Sequence, residues 1–219
     1  MPQILKVDPL IPSLWENSFS KTREILKGGG VIAFPTDTFY GLGADPFNKT
    51  AVDKIYEIKG RDSKKPLLLL IDSPEKLDGL VEKPTEESIK LIKTFWPGPL
   101  TLLFKPKPNI PQNVTTGLIG IRQPGNSMTR KLLSALDHPL TAPSANISGE
   151  NPATTAEQVE LHLGNKLDLI LNAGVCKGGE PSTLVDATQS PVRLIREGAI
   201  SFKHIQESLN GELQTQEPA

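Results

Sequence analysis

Five cations, Lys54, Lys59, Arg61, Lys64 and Lys65, crowd into twelve positions against the carboxylates Asp53, Glu57 and Asp62. Most charge runs are solvated surface and nothing more. Lys59-Gly60-Arg61 differs because a helix-stopping glycine separates the two cations and an apolar run follows soon after, so a helix end would carry them into a loop. Arginine offers paired donors and lysine a mobile point charge, the types that neutralise a triphosphate. Two hydroxyl-rich segments are further candidates: Thr36-Asp37-Thr38, with Gly41 and Gly43 downstream, and Thr141-Ala142-Pro143-Ser144-Ala145-Asn146-Ile147-Ser148-Gly149. The first leans toward a tight polar turn in which Thr36 and Asp37 satisfy backbone groups. The second could hold a ligand or merely cap a turn, and spacing leaves both readings open.

Several chemistries are disfavoured. Gly28-Gly29-Gly30 lacks the Gly-Lys-Ser/Thr of a phosphate loop, and Gly41-Leu42-Gly43 has no third glycine at dinucleotide-fold spacing. His138, His162 and His204 are scattered, and Cys176 is the single cysteine, so a disulfide framework and a dedicated protein metal site are not expected. His162 falls on an expected helix and His138 beside Pro139, which argues against a Ser-His-acid triad. A net charge of −1, from 24 basic and 25 acidic residues, leaves room only for weak RNA binding. The longest aliphatic run, Leu67 to Ile71, cannot span a bilayer, and Met1-Pro2-Gln3-Ile4 opens no secretory signal, so a cytoplasmic protein is expected.

These candidates need elements to position them. The 219 residues suit one domain, and 20 prolines with 18 glycines punctuate short apolar runs throughout. A first helix is expected from Ser18 or Ser20 to Gly28, with Ile25 and Leu26 inward, then a buried strand Val31 to Phe34 stopped by Pro35. Asn48 caps a helix ended by Gly60, with Val52, Ile55 and Tyr56 on its inner face. A strand Leu67 to Ile71 leads to a short helix from Ser73 or Pro74, and a longer helix starts at Thr85 with Ile89, Ile92 and Trp96 as its stripe. Strands follow at Leu100 to Phe104 and Leu118 to Arg122, then a helix Ser127 to Leu136 and a short strand from Pro139. Thr154 or Thr155 opens another helix through a capping box with Glu157 or Gln158. Leu167 to Asn172, Ser182 to Asp186 and Val192 to Arg196 read as strands, and Ser201 caps a last helix. The expected organisation is an extension over 1–17, a domain over 18–209 and a polar, frayed tail over 210–219. Helices alternating irregularly with strands give an α+β, mixed α/β class built on a twisted mixed sheet flanked by helices.

Eight segments occur in one order: Pro35-Thr36-Asp37-Thr38-Phe39-Tyr40-Gly41-Leu42, Lys59-Gly60-Arg61, Lys65-Pro66-Leu67, Trp96-Pro97-Gly98-Pro99-Leu100-Thr101, Ile121-Arg122-Gln123-Pro124, Ala142-Pro143-Ser144-Ala145-Asn146, Pro181-Ser182-Thr183-Leu184-Val185-Asp186 and Arg196-Glu197-Gly198. This series, from about Ser20 to Ile200, resembles the YrdC-type family of L-threonylcarbamoyladenylate synthases, in its single-domain TsaC-like form. The resemblance implies a three-layer YrdC/RibB-like fold with the site on a concave face. It also implies a nucleotidyltransferase that condenses L-threonine, bicarbonate and ATP to threonylcarbamoyl-AMP and pyrophosphate. A downstream transferase machinery then carries the threonylcarbamoyl group to adenosine in tRNA.

By position, the resemblance gives Thr38, Arg122, Ala142 and Ser182 to L-threonine, with Arg122 on its carboxylate. It gives Arg61, Lys65, Ser144, Asn146 and Arg196 to ATP, and Lys59, Arg61, Ser144 and Asn146 to the quartet around the reacting groups, taken as catalytic. Mg2+ is expected on the phosphates with few protein ligands and no metal site of the protein's own. Some relatives carry a histidine where this chain has Leu70, which would remove one contact to threonine. The reading from another class is an RNA-binding or ribosome-maturation module of the same fold without synthase activity.

Overall fold

The computed structural model describes residues 2–8, 11–63, 65–115, 117–136 and 138–211. Helices are α1 Pro12–Lys27, α2 Lys49–Lys59, α3 Glu86–Phe95, α4 Ser127–Leu136, α5 Ala156–Leu163 and α6 Phe202–Asn210. Strands are β1 Gln3–Lys6, β2 Ile32–Phe34, β3 Gly41–Gly43, β4 Leu68–Leu70, β5 Leu100–Phe104, β6 Ile119–Arg122, β7 Leu140–Thr141, β8 Leu169–Asn172, β9 Thr183–Asp186 and β10 Arg193–Arg196. Local chemistry sets most boundaries. Asn48, Thr85, Thr155 and Ser201 each accept an amide of the first turn of their helix, as their side chains allow. Gly60 stops α2 in the left-handed region at φ 55°, where a side chain would be strained. Helix α1 starts earlier than Ser18, at Pro12, a residue suited to a first helical position, and Ser18 lies buried within it. The stripe of α3 also differs: Leu91 and Ile92 are buried, whereas Ile89 is exposed. The segment after Ser73 is a 3-10 helix, Pro74–Gly79. Lys64 and residues 212–219 of the expected tail lie outside the described residues.

The strands divide between two hydrogen-bonded sheets, both mixed: β1-β8-β2-β3 and β10-β9-β5-β6-β4-β7. In the first, β1 and β2 run parallel to β8 while β3 is antiparallel to β2; in the second, β5 is parallel to β9 and antiparallel to β6. The sheets are stitched where β3 meets β7: Ala44 and Thr141 bond through backbone and side chain, and Leu42 donates to Pro143 O at 2.8 Å. Alternation along β2 sends Ile32 and Phe34 into one apolar cluster with Phe19 and Leu26 of α1 and Leu132 and Leu133 of α4. Val31 and Ala33 go the other way, into a cluster with Val52, Ile55, Leu91, Val159 and Ile205 of α2, α3, α5 and α6. Helices therefore cover both faces, giving the three layers. In the six-stranded sheet, Leu100, Leu102, Phe104, Ile119 and Ile121 fill that second cluster. The opposite face of the same strands, with Thr101, Leu103, Gly120 and Arg122, lines an open cleft. No helix among the described residues is long and apolar enough to cross a membrane.

Candidate active site

The cleft has a volume of about 610 Å³, and all ten residues assigned from sequence line it: Thr38, Lys59, Arg61, Lys65, Arg122, Ala142, Ser144, Asn146, Ser182 and Arg196. They come from the segment between β2 and β3, the end of α2, the loop before β4, the loop after β7, the ends of β6 and β10 and the residue before β9. Gly60 N donates to Glu57 O and Arg61 N to Tyr56 O, a helix-end geometry that turns Lys59 inward and sends Arg61 along the rim. Lys59 is only 2% exposed. Its ammonium donates to Ser144 O at 2.5 Å, Asn146 O at 2.8 Å and Asn146 Oδ1 at 3.3 Å, while Ser148 N donates to Lys59 O. The Asn146 amide is filled as well: Oδ1 also accepts from Ser144 Oγ, and Nδ2 donates to Ile147 O and Glu150 O. Lys59 and Asn146 thus pin the 144–146 turn to the end of α2. Burial, with the Arg61 charge adding to it, pushes the Lys59 ammonium down to about 8.

Arg61 donates to Pro66 O at 3.1 Å, and Tyr56 Oη donates to Lys65 O, so the loop bearing Lys65 is braced from two sides. Arg196 donates to Ser182 O at 2.8 Å; partial desolvation and then the charge of Arg61 draw its guanidinium below its usual range. None of Lys59, Arg61, Lys65 and Arg196 forms an ion pair among the described residues. Lys59, Arg61, Lys65 and Arg196 outnumber the carboxylate of Asp62, which also lines the cleft, so this wall favours an anion.

The other end is built differently. Arg122, 2% exposed, donates through Nη2 to Asp37 Oδ1. Burial lowers the Arg122 pKa and Asp37 acts against that shift. Thr36 Oγ1 and Thr38 Oγ1 lie 3.1 Å apart, and Thr36 donates to Phe39 O; Ser182 Oγ and Thr101 Oγ1 pair at 2.8 Å. Thr36 satisfies backbone groups as the sequence suggested, accepting from Thr38 N and donating to Phe39 O, whereas Asp37 is the ion-pair partner of Arg122. Thr101 went unnoticed; its one signal is a hydroxyl alternating with Leu100 and Leu102 on a strand, which puts it on the face away from the core. Leu70, fully buried, floors the cleft where a histidine was expected in some relatives. His138, His162 and His204 do not line the cleft. Cys176 is buried with its thiol pushed up to about 11, chiefly by desolvation. Among the described residues no three His, Cys, Asp or Glu side chains converge as a metal cage.

A family model named Sua5_yciO_yrdC and described as telomere recombination matches residues 24–198. The chain belongs to this family. Within the Sua5/YciO/YrdC family, it is 38% identical over 190 residues to a threonylcarbamoyl-AMP synthase of Pyrococcus abyssi, covering 86% of this chain and 56% of that one. It is 35% identical over 199 residues to a putative threonylcarbamoyl-AMP synthase of Methanocaldococcus jannaschii, covering 89% and 94%. Among solved structures, P. abyssi Sua5 complexed with L-threonine superposes with a TM-score of 0.88 at 35% identity, over 96% of this chain and 62% of that chain. Escherichia coli YciO superposes with a TM-score of 0.84 at 26% identity, over 94% and 100%. The chain thus spans little more than half the length of the P. abyssi relative.

Proposed function

We propose that this cleft makes L-threonylcarbamoyl-AMP. L-Threonine and bicarbonate form a carbamate with loss of water; the carbamate oxygen attacks the α-phosphorus of ATP, and the bond from that phosphorus to the bridging oxygen breaks to release pyrophosphate. One observation carries the reading: a single cleft joins a cationic wall to a hydroxyl-lined end holding a buried arginine. In the proposal Arg122 receives the threonine carboxylate, with Thr38, Ala142 and Ser182 around the rest of the amino acid. Arg61, Lys65 and Arg196 hold the triphosphate, with the turn of Ser144 and Asn146 on the same side, carried by Lys59. Two anions react here, so the protein's work is positioning and charge screening, without a protein nucleophile. Magnesium enters as part of the substrate, on the phosphates. The product supplies a cytoplasmic transferase machinery that modifies tRNA. The threonine complex of P. abyssi Sua5 supports the amino-acid end of this reading.

The test is direct. Purified protein incubated with L-threonine, bicarbonate, ATP and magnesium is expected to release pyrophosphate only when threonine and bicarbonate are both present, with threonylcarbamoyl-AMP found by mass spectrometry. No adenylate under conditions where a working relative makes it, together with tight RNA binding, would replace the synthase by the RNA-module reading.

A further inference from the structure

The cleft's five cations are compensated unequally. Among the described residues Arg122 alone is paired with a carboxylate, while Lys59, Arg61, Lys65 and Arg196 form no ion pair. The Asp37–Arg122 pair is also half made. One oxygen meets one nitrogen, and both Asp37 Oδ2 and Arg122 Nε are buried without a partner. The spare oxygen faces Gly125, where an added side-chain carbon would lie 3.2 Å from it. Arg130, on the helix that follows that loop, donates through Nη1 to Pro124 O at 2.8 Å and Gly125 O at 2.7 Å.

The geometry points to Asp37 as a specificity-determining residue, one that makes the Arg122 end of the cleft electrically neutral so that it takes a zwitterionic amino acid in preference to an organic anion. The inference rests on the synthase reading of the cleft. A free amino acid carries a carboxylate and an ammonium, and so matches an arginine with a carboxylate behind it; an anion gains from the arginine but is repelled by Asp37. The consequence reaches the reaction itself. When the amine becomes a carbamate, the ligand turns from neutral to dianionic, and its new charge is favoured at the wall of Lys59, Arg61, Lys65 and Arg196, where the α-phosphate is to be met. The charge step along the cleft would favour threonine before carboxylation and draw the carbamate forward after it.

The experiment compares L-threonine with (2S,3R)-2,3-dihydroxybutanoate, which has a hydroxyl in place of the amine and is an isosteric anion. Calorimetric titration of the wild-type protein is expected to show threonine bound at least tenfold more tightly. Asp37→Asn keeps an oxygen for Arg122 Nη2 and removes the charge. In that variant the dihydroxy acid is expected to tighten about tenfold while threonine stays within threefold. Equal weakening of both ligands would mean that Asp37 only props Arg122, and would overturn the proposal. So would equal affinity for the two ligands in the wild-type protein, an arm that depends on no variant. Arg61→Ala, at the other wall, is expected to leave the ratio of the two affinities within threefold, and an equal swing there would also count against it. If the wild-type protein bound no threonine, the synthase reading itself would fall; threonine binding without the charge-dependent swing sinks only this inference.

Discussion

Removing Asp37 altogether should be costly to the fold, and the size of the loss follows from burial. Arg122 has a side chain 3% exposed and Asp37 one 18% exposed, so their pair is formed largely out of water. Asp37→Ala would leave a buried guanidinium whose Nε already lacks a partner. An uncompensated buried charge of this kind costs about 3–5 kcal/mol. With a urea slope of about 2–3 kcal/mol per molar, the unfolding midpoint should fall by ~1–2 M. Arg122→Met removes the charge instead of its partner, and the double variant leaves no stranded ion at all. The double variant is therefore expected to be more stable than Asp37→Ala alone, recovering at least half the loss. Urea denaturation of the four proteins, followed by far-ultraviolet circular dichroism, measures the cycle. An Asp37→Ala midpoint corresponding to less than about 1 kcal/mol, or a double variant no better than the single, would refute the reasoning that Arg122 needs Asp37 as its counter-ion.

Lys59 should titrate near pH 8, against an ordinary lysine value of 10.5, and side-chain nitrogen resonances read this directly. The lowered value means that between pH 8 and 10.5 the unfolded chain keeps a proton the native chain has released, so wild-type stability should rise with pH across that window, by up to about 3 kcal/mol relative to Lys59→Met. A midpoint at 10 or above would contradict the burial argument. Arg61→Ala removes the like charge that adds to the lowering of Lys59, so the Lys59 midpoint should move upward from about 8 in that variant. The same variant should weaken ATP by roughly tenfold to a hundredfold, the worth of a hydrogen bond to a charged group, while threonine affinity changes little. Equal loss for both ligands, measured by calorimetry, would show Arg61 to be structural.

Local chemistry in the sequence was enough for most elements. Caps such as Asn48 and Thr85 and the stop at Gly60 act within a turn, so reading neighbours sufficed. Long-range partners were not legible. Strand β1, three exposed residues and one half-buried with no clean alternation, exists because β8 lies beside it, more than 160 residues later in the chain. Of the expected α3 stripe, Ile92 and Trp96 do face the core, but Leu91 takes the place of Ile89, since a helix's inner face is fixed by what it meets.

For the site, the ordered motifs and the resemblance they carry named ten of the residues that line the cleft. What those residues do to one another was decided by the fold. Lys59 and Asn146, two of the quartet the resemblance places around the reacting groups, hydrogen-bond to each other and to the 144–146 turn, since residues 87 apart in the chain are buried together. Asp37, read as a turn-former, became a counter-ion because β6 delivers a buried Arg122 to the end of the strand-to-loop segment that follows β2. The sequence by itself determined which charges and hydroxyls are present, and their balance near zero. Only the tertiary structure decided which charges cancel: burial and proximity pair Arg122 with Asp37, while among the described residues Lys59, Arg61, Lys65 and Arg196 line the same cleft without an ion pair.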